Sequence, residues 1–171
     1  YTYATYVPFE ISFKNGKIKF VLDAGTDLLD RMEIWDANNN LVRYVKFVIT
    51  DAPGVSTRKL LTALQFYDKQ DQFVNQYSFQ YNGGDIPNAD GPGGNGRDYW
   101  GYYNGANNTS LVPEWSVGVI GPASAGTVTV GNANRAANEN YMKGLVLERI
   151  TYPTGGSTLF EVEANRYSSS L

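Results

Sequence analysis

Residues 9–22 read Phe9-Glu-Ile-Ser-Phe-Lys-Asn15-Gly16-Lys-Ile-Lys-Phe-Val-Leu22, with apolar and polar residues alternating on both sides of Asn15-Gly16. Alternation with a period of two is typical of a half-buried strand, and Asn-Gly between two such runs strongly indicates a β-hairpin. Because a shift of one residue would turn the apolar side to water, the pattern fixes which side chains share a face. A two-residue turn at Asn15-Gly16 predicts these opposite pairs: Phe13 with Ile18, Ile11 with Phe20, and Phe9 with Leu22.

Residues 29–49 and 61–81 repeat one pattern at an offset of 32 positions. Each segment has an alternating run, an aromatic–Asp pair (Trp35-Asp36 and Tyr67-Asp68), a polar turn and a second alternating run. Asp at this place can accept a hydrogen bond from the backbone two residues on, and so begin a turn. Residues 145–163 predict a further hairpin around Gly155-Gly156, in which Ile150 faces Phe160.

Residues 82–142 differ from the hairpins because they hold 12 of the 18 glycines. A structureless stretch of this length is uncommon inside a compact domain. We therefore predict one ordered insertion with strands at 115–120 and 127–130, a short helix near 136–143 that ends at Gly144, and a mobile tip at 91–96. Together with the hairpins at 9–22, 29–49, 61–81 and 145–163, this predicts a single all-β domain over residues 1–171.

The composition excludes several classes of function. The chain has no His and no Cys, which removes Ser-His-Asp and Cys-His catalysis, structural zinc and haem attachment. A net charge of −3 with scattered Lys and Arg argues against nucleic acid as a partner. No apolar run approaches the roughly 18–20 residues needed to cross a bilayer. Tyr1 begins in mid-pattern, so we expect a mature fragment without its signal sequence, and no cofactor is expected.

The segment Asp98–Gly105 is the most pointed candidate site, with one acid, four aromatic residues and an Asn-Gly pair. One interpretation is a ligand-binding platform: Trp100, Tyr102 and Tyr103 would stack on a sugar ring while Asp98 and Asn104 bond its hydroxyl groups. The other interpretation is structural. Trp100 and one tyrosine would fill the core, and Gly101 would allow the backbone to approach closely.

Asp85, Asp90 and Asp98, with Asn88 and Asn95, could supply oxygen ligands for Ca²⁺ from a Gly-rich loop. The best alignment with an EF-hand loop places Ile86 and Arg97 at ligand positions, so the match is incomplete and turn-forming roles are the alternative. Trp35 occupies the same place as Tyr67 in the repeat, which favours a structural role, and Trp115 has no assignment. The 17 acidic residues show no spacing that singles out a catalytic carboxylate pair.

Several later motifs together resemble a recurrent segment of large secreted or surface proteins of the Bacteroidetes, which often precedes RHS/YD (tyrosine-dipeptide) repeats. They lie in order within residues 60–167, and residues 1–49 resemble the family only loosely. The last hairpin is similar to a YD unit, but Glu161-Val162-Glu163 stands where such units carry an aromatic–acidic pair. The motifs are Asp98-Tyr-Trp-Gly-Tyr-Tyr-Asn-Gly105, Leu111-Val-Pro113, Asn134-Arg135, Tyr141-Met-Lys-Gly-Leu145 and Ile150-Thr-Tyr-Pro-Thr-Gly-Gly-Ser-Thr-Leu-Phe-Glu161.

The resemblance implies an extracellular, β-rich module with no established enzymatic activity. The expected fold is therefore all-β, with antiparallel hairpin repeats packed as a sandwich or as an RHS-like curved sheet. The expected function is a non-catalytic structural or interaction module whose partners are neighbouring domains of the same chain or other surface proteins. A carbohydrate-binding module that uses the platform around Trp100 is the alternative, and a carboxylate-based glycan-active enzyme is a third.

Overall fold

A computed structural model describes residues 9–53, 55–83, 94–120 and 125–163. The regular secondary structure of the described chain is antiparallel β-strand with one short helix, as the alternating pattern predicts. The elements are β1 (Glu10–Phe13), β2 (Gly16–Leu22), β3 (Leu29–Asp36), β4 (Leu41–Ala52), β5 (Val55–Asp68), β6 (Phe73–Tyr81), β7 (Trp115–Ile120), β8 (Ala125–Val130), α1 (Glu139–Met142), β9 (Leu147–Thr151) and β10 (Ser157–Leu159).

The chain divides into two compact units. The first comprises Tyr1–Thr50, Lys59–Gln80 and Arg149–Leu159, and it holds most of an eight-stranded sheet of order β1-β2-β3-β4-β5-β6-β9-β10. The second comprises Asp51–Arg58, Tyr81–Glu148 and Phe160–Leu171, and it holds the two-stranded ribbon β7–β8 and the helix. Strands adjacent in sequence are adjacent in the sheet as far as β6, which short turns make possible.

The repeat at an offset of 32 residues extends to the hydrogen-bond register. Met32 lies opposite Val45 in the first hairpin, and Leu64 lies opposite Tyr77 in the second. Each hairpin also has one irregularity in the same place, directly before the aromatic residue of the aromatic–Asp pair. The two segments therefore share one backbone plan, down to the bulge that precedes the turn.

One turn conformation occurs four times in the described chain, over residues 36–40, 68–72, 98–102 and 152–156. In each, the first residue donates its N–H to the carbonyl of the fifth, and the fourth donates to the carbonyl of the first, at 2.8–3.2 Å. The fourth residue always has positive φ: Asn39, Asp71, Gly101 and Gly155. This is the three-residue hairpin loop that ends in a left-handed residue, which Asn, Asp and Gly tolerate best.

The first hairpin is present, but its predicted register is wrong by two residues. Ile11 lies opposite Ile18 and Phe13 opposite Gly16, so the turn is at Lys14-Asn15 and Gly16 already belongs to β2. A Cβ at Gly16 would lie 2.1 Å from the Trp35 carbonyl oxygen of β3. The glycine is therefore required by the close approach of β3 and not by the turn, which is why the Asn-Gly signal misplaced the tip.

The last hairpin shows a shift of the same size. Ile150 lies opposite Thr158 and not Phe160, because the turn is the three-residue loop between Tyr152 and Gly156. Gly155 has a φ of 90°, whereas Gly156 is the residue that closes the loop. A shift of two keeps each side chain on its predicted face, so only the partners change.

Within residues 82–142, the two predicted strands are present. β7 has the predicted bounds and β8 begins two residues earlier, at Ala125. The helix is shorter than predicted: its N-cap is Asn138, whose side chain accepts a hydrogen bond from the Asn140 N–H at 3.1 Å. The residue with positive φ after the helix is Leu145, not Gly144. Half of the tip predicted to be mobile, residues 91–93, lies outside the described residues.

The large side chains of the first unit pack mainly as aromatic contacts across strands. Tyr44 stacks on Tyr67 with ring centroids 4.8 Å apart, and Tyr67 meets Phe73 edge to face. On the same sheet, Tyr77 makes edge-to-face contact with Tyr152. Such pairs each contribute about 0.5–1.5 kcal/mol beyond the area they bury. Among described apolar residues, full burial is confined to small or medium side chains: Val45, Ala52, Ala63 and Ala133.

Candidate functional site

The candidate segment forms a miniature hairpin in the second unit. Arg97 pairs with Tyr103, and the Asn104 N–H donates to the Gly96 carbonyl at 2.9 Å. Its loop is the recurrent turn, here over Asp98–Tyr102. The Asn104-Gly105 pair noted in the sequence lies after this hairpin and does not form its tip. The signal that could have found the true turn is Asp followed three positions later by Asn, Asp or Gly, shared by Asp36, Asp68 and Asp98.

Asp98 organises this turn from within. Its carboxylate oxygen accepts hydrogen bonds from the N–H groups of Trp100 and Tyr102, both at 2.9 Å. Asp36 and Asp68 make the equivalent bonds at the surface, whereas Asp98 is only 2% exposed. Because backbone donors occupy this oxygen and the residue is buried, the side chain shapes the site rather than offering its carboxylate to solvent.

The aromatic side chains of the candidate segment divide into two groups. Trp100 is 51% exposed and Tyr102 49%, and Tyr99 is also exposed. Tyr103 is half-buried and meets the Tyr141 ring edge to face at 5.6 Å. The predicted platform of Trp100, Tyr102 and Tyr103 is therefore not one exposed surface, since Tyr103 packs inward.

Asn104 is buried and holds backbone groups from a distant part of the chain. Its amide nitrogen donates to the carbonyls of Asn134 and Ala136, each at 2.9 Å, and its oxygen accepts from the Ala106 N–H. These bonds use both donors and the acceptor of the side chain, so Asn104 is committed to structure. Gly105 follows with a φ of 75°, and a Cβ there would lie 2.5 Å from the Tyr141 ring.

The structure adds residues that sequence reasoning did not select as site residues. Arg135 donates to the Asp98 carbonyl at 2.7 Å and to the Leu111 carbonyl at 2.9 Å, and its guanidinium lies 5.0 Å from the Tyr99 ring centroid. Buried Asn108 exchanges hydrogen bonds with the Asn134 backbone in both directions. Long-range contacts of this kind, over 24 or more positions, leave no local pattern in the sequence.

Trp100 and Tyr102 line a groove of about 200 Å³ in the second unit. Its walls are mostly apolar, and two carboxylate residues, Asp98 and Glu163, complete them. An aromatic and apolar lining with few polar groups is usual for a small-ligand site, but this groove is smaller than the roughly 300–1,000 Å³ of such sites. The remaining lining residues are Ala137, Met142, Val146 and Val162.

The calcium site remains a prediction. Asp85, Asn88 and Asp90 lie outside the described residues, and Asp98 uses one carboxylate oxygen for its own turn. Over the ranges that the structure describes, no three acidic side chains gather closely enough to hold a metal ion.

A second, more polar groove of about 320 Å³ lies in the first unit beside Tyr44. Arg31 bonds both Asp30 and Glu33, so its charge is already matched. The Tyr44 hydroxyl donates to Asp71, and partial burial together with this bond raises the pKa of Tyr44 to about 12. The phenol keeps its proton at neutral pH, and its bond to Asp71, like the ion pairs of Arg31, joins polar groups of the groove to one another.

No family model, curated protein or solved structure matches the chain. The helix of the described chain has four residues, far fewer than a membrane crossing requires.

Proposed function

We propose that the chain is a non-catalytic structural and interaction module that binds an extended strand of a neighbouring protein segment at the edge of its large sheet. The observation that carries this proposal is the state of β1. Among the described residues it is the terminal strand of the sheet, and the apolar row that begins just before it is exposed: Phe9 by 74%, and Ile11 and Phe13 by 50% each. A terminal strand also presents backbone N–H and C=O groups that a further strand can bond.

The composition of β1 supports this interpretation. Terminal strands of monomeric proteins are commonly protected by short length, charged side chains, proline or a bulge. The strand β1 is short and carries Glu10, but its four residues include no lysine or proline and its described ladder to β2 is regular. Apolar residues grouped beside open backbone groups favour association with another strand.

The hairpin repeat supports the same proposal. The sheet grows by hairpins with one register and one turn, as β3–β4 and β5–β6 illustrate. A neighbouring segment that pairs with β1 would continue this plan. The resemblance to segments of large Bacteroidetes surface proteins with RHS/YD repeats suggests the setting: the cell surface or the extracellular space, with neighbouring domains or other surface proteins as partners.

The test uses strand addition directly. The probe is a short fluorescent peptide of alternating Val and Thr, N-methylated along one edge so that it cannot stack on itself, and binding is measured by anisotropy. We expect the wild type and Ser12→Lys to bind it and Ile11→Lys to bind at least about tenfold more weakly, equivalent to about 1.4 kcal/mol. Ser12→Lys is the matched control, since it adds the same charge on the other face of β1. If the wild-type protein does not raise the anisotropy of the peptide, the proposal is contradicted.

Carbohydrate binding is the second candidate, favoured by the groove beside Trp100. The exposed rings of Trp100 and Tyr102 suit the apolar face of a sugar, and the nearby Glu163 carboxylate suits its hydroxyl groups. We expect Trp100→Ala to abolish any signal on a glycan array, while Tyr99→Ala, an exposed aromatic outside the groove lining, retains it. An array on which the wild type binds nothing, or on which both variants lose binding equally, would remove this candidate. We do not extend it to hydrolysis, because the Asp98 side chain is buried within its turn.

A further inference from the structure

The ribbon β7–β8 has one apolar face and one face that is mostly polar away from the end formed by Ile120 and Ala125. Trp115 lies opposite Val130 and Val117 opposite Val128, and these pairs share one face. The pairs of Ser116 with Thr129 and of Gly118 with Thr127 lie on the other. All four apolar side chains are exposed, and Trp115 is 66% exposed. An isolated two-stranded ribbon is marginal in water, so an apolar face of this kind calls for a covering surface.

The charge distribution bears on which partner could cover the apolar face of β7–β8. Residues 115–130 contain no Asp, Glu, Lys or Arg, although the chain carries a net charge of −3. A charged partner would find no complementary group on this face, whereas two copies of the face meet without bringing like charges together. Insertion into lipid is disfavoured, because a two-stranded ribbon carries open backbone edges that hydrocarbon cannot hydrate.

We propose that the apolar face of β7–β8 packs on the same face of a second copy of the chain. A two-fold axis makes the contact self-complementary, with valine and tryptophan rows from each copy in one layer. Six residues per strand give a face about 20 Å long and about 10 Å wide. This is well below the roughly 800 Å² per partner of a stable complex, so the association is weak and concentration-dependent.

Sedimentation velocity from about 10 μM to about 1 mM tests the association. Val128 and Thr129 are adjacent, exposed and on opposite faces, so Val128→Lys and Thr129→Lys form a matched pair. We expect the mass of the wild type and of Thr129→Lys to rise towards that of a dimer, and Val128→Lys to stay monomeric. Val130→Lys, at the base of the ribbon, repeats the test if Val128→Lys fails to fold by circular dichroism.

Two further experiments test whether something other than the same face of a second copy covers the ribbon. If Ile11→Lys abolishes self-association and Val128→Lys does not, the copies meet at β1 and the ribbon proposal is overturned. Flotation with neutral phosphatidylcholine vesicles tests a lipid surface. Vesicle binding that is lost in Val128→Lys and kept in Thr129→Lys would show that the apolar face binds lipid, and it would overturn the proposal of a second copy. A wild type that stays monomeric at the highest concentration overturns the proposal outright.

Discussion

At the scale of single residues, the three turn aspartates show that the same two hydrogen bonds contribute differently to stability when the carboxylate is exposed and when it is buried. Asp36 and Asp68 accept two backbone N–H bonds at the surface, where water can replace them. Asp98 accepts the same two bonds while almost fully buried. A donor left without a partner in a buried place costs more than one that water can reach.

We therefore predict that Asp98→Ala lowers the free energy of unfolding by about 1–3 kcal/mol, because the Trp100 and Tyr102 N–H groups lose their acceptor. Asp68→Ala should cost clearly less, since its loop is exposed. Urea unfolding followed by circular dichroism measures both. Equal losses of unfolding free energy in the two variants would show that burial does not increase the contribution of the Asp98 hydrogen bonds.

Asp36 makes a prediction about pH. Hydrogen bonds from the backbone and then the side chain of Asn40 hold the pKa of this carboxyl below its ordinary value of 3.8. A lowered pKa means that the unfolded chain binds the proton more readily. The stabilisation is therefore present above about pH 3.8 and is lost as the pH falls through the folded-state value.

The melting temperature of the wild type should accordingly exceed that of Asp36→Ala at neutral pH, and the gap should narrow below about pH 3.8. Asp36→Asn is the control, because it keeps an acceptor oxygen but cannot titrate. Thermal melts across this range measure the three proteins. A gap that stays constant into strong acid would argue that the carboxylate contributes nothing through its charge.

At the scale of elements, alternation and turn residues were enough to predict the hairpins and the bounds of β7, but not the partners across the two outer hairpins. Side-chain face depends only on parity, which alternation records. The residues that pair across a hairpin depend on where its turn lies. A glycine in the sequence does not show whether the turn or the close approach of a neighbouring strand requires it. Gly16 shows the second case, since it faces the Trp35 carbonyl. In the candidate site, the hydrogen bonds of Asn104 and Arg135 to distant backbone could not be predicted from local pattern.

The shared turn predicts that the loops of the two repeats are interchangeable. Replacing Lys69-Gln-Asp-Gln72 by Ala-Asn-Asn-Asn, the sequence of residues 37–40, should change the free energy of unfolding by no more than about 0.5 kcal/mol. The new Asn at position 71 tolerates positive φ and still offers an oxygen to the Tyr44 hydroxyl. Asp71→Val is the contrasting variant, since a β-branched residue opposes positive φ. Urea unfolding that shows equal losses for both changes would reject a common turn.

At the scale of the whole molecule, protection of the backbone should follow position in the sheet. In the described part of the sheet, β4 and β5 have a strand on each side, whereas β1 and β10 have a neighbour on one side only. Backbone hydrogen exchange reports the free energy of local opening, which is lowest where bonds face water. In dilute solution we expect slow exchange in β4 and β5, and faster exchange in β1, β10 and the β7–β8 ribbon.

Mass spectrometry of exchanged peptides measures this order, and repeating it near the highest concentration of the sedimentation series connects it with the two interaction surfaces. If the ribbon faces pack together, protection should rise over 115–118 and 126–130 while β1 stays fast. If the strand-binding peptide is added instead, protection should rise in β1 and leave the ribbon unchanged. Slow exchange of β1 in the dilute protein alone would mean that its edge is already covered, and the site proposed for a partner strand would then be closed.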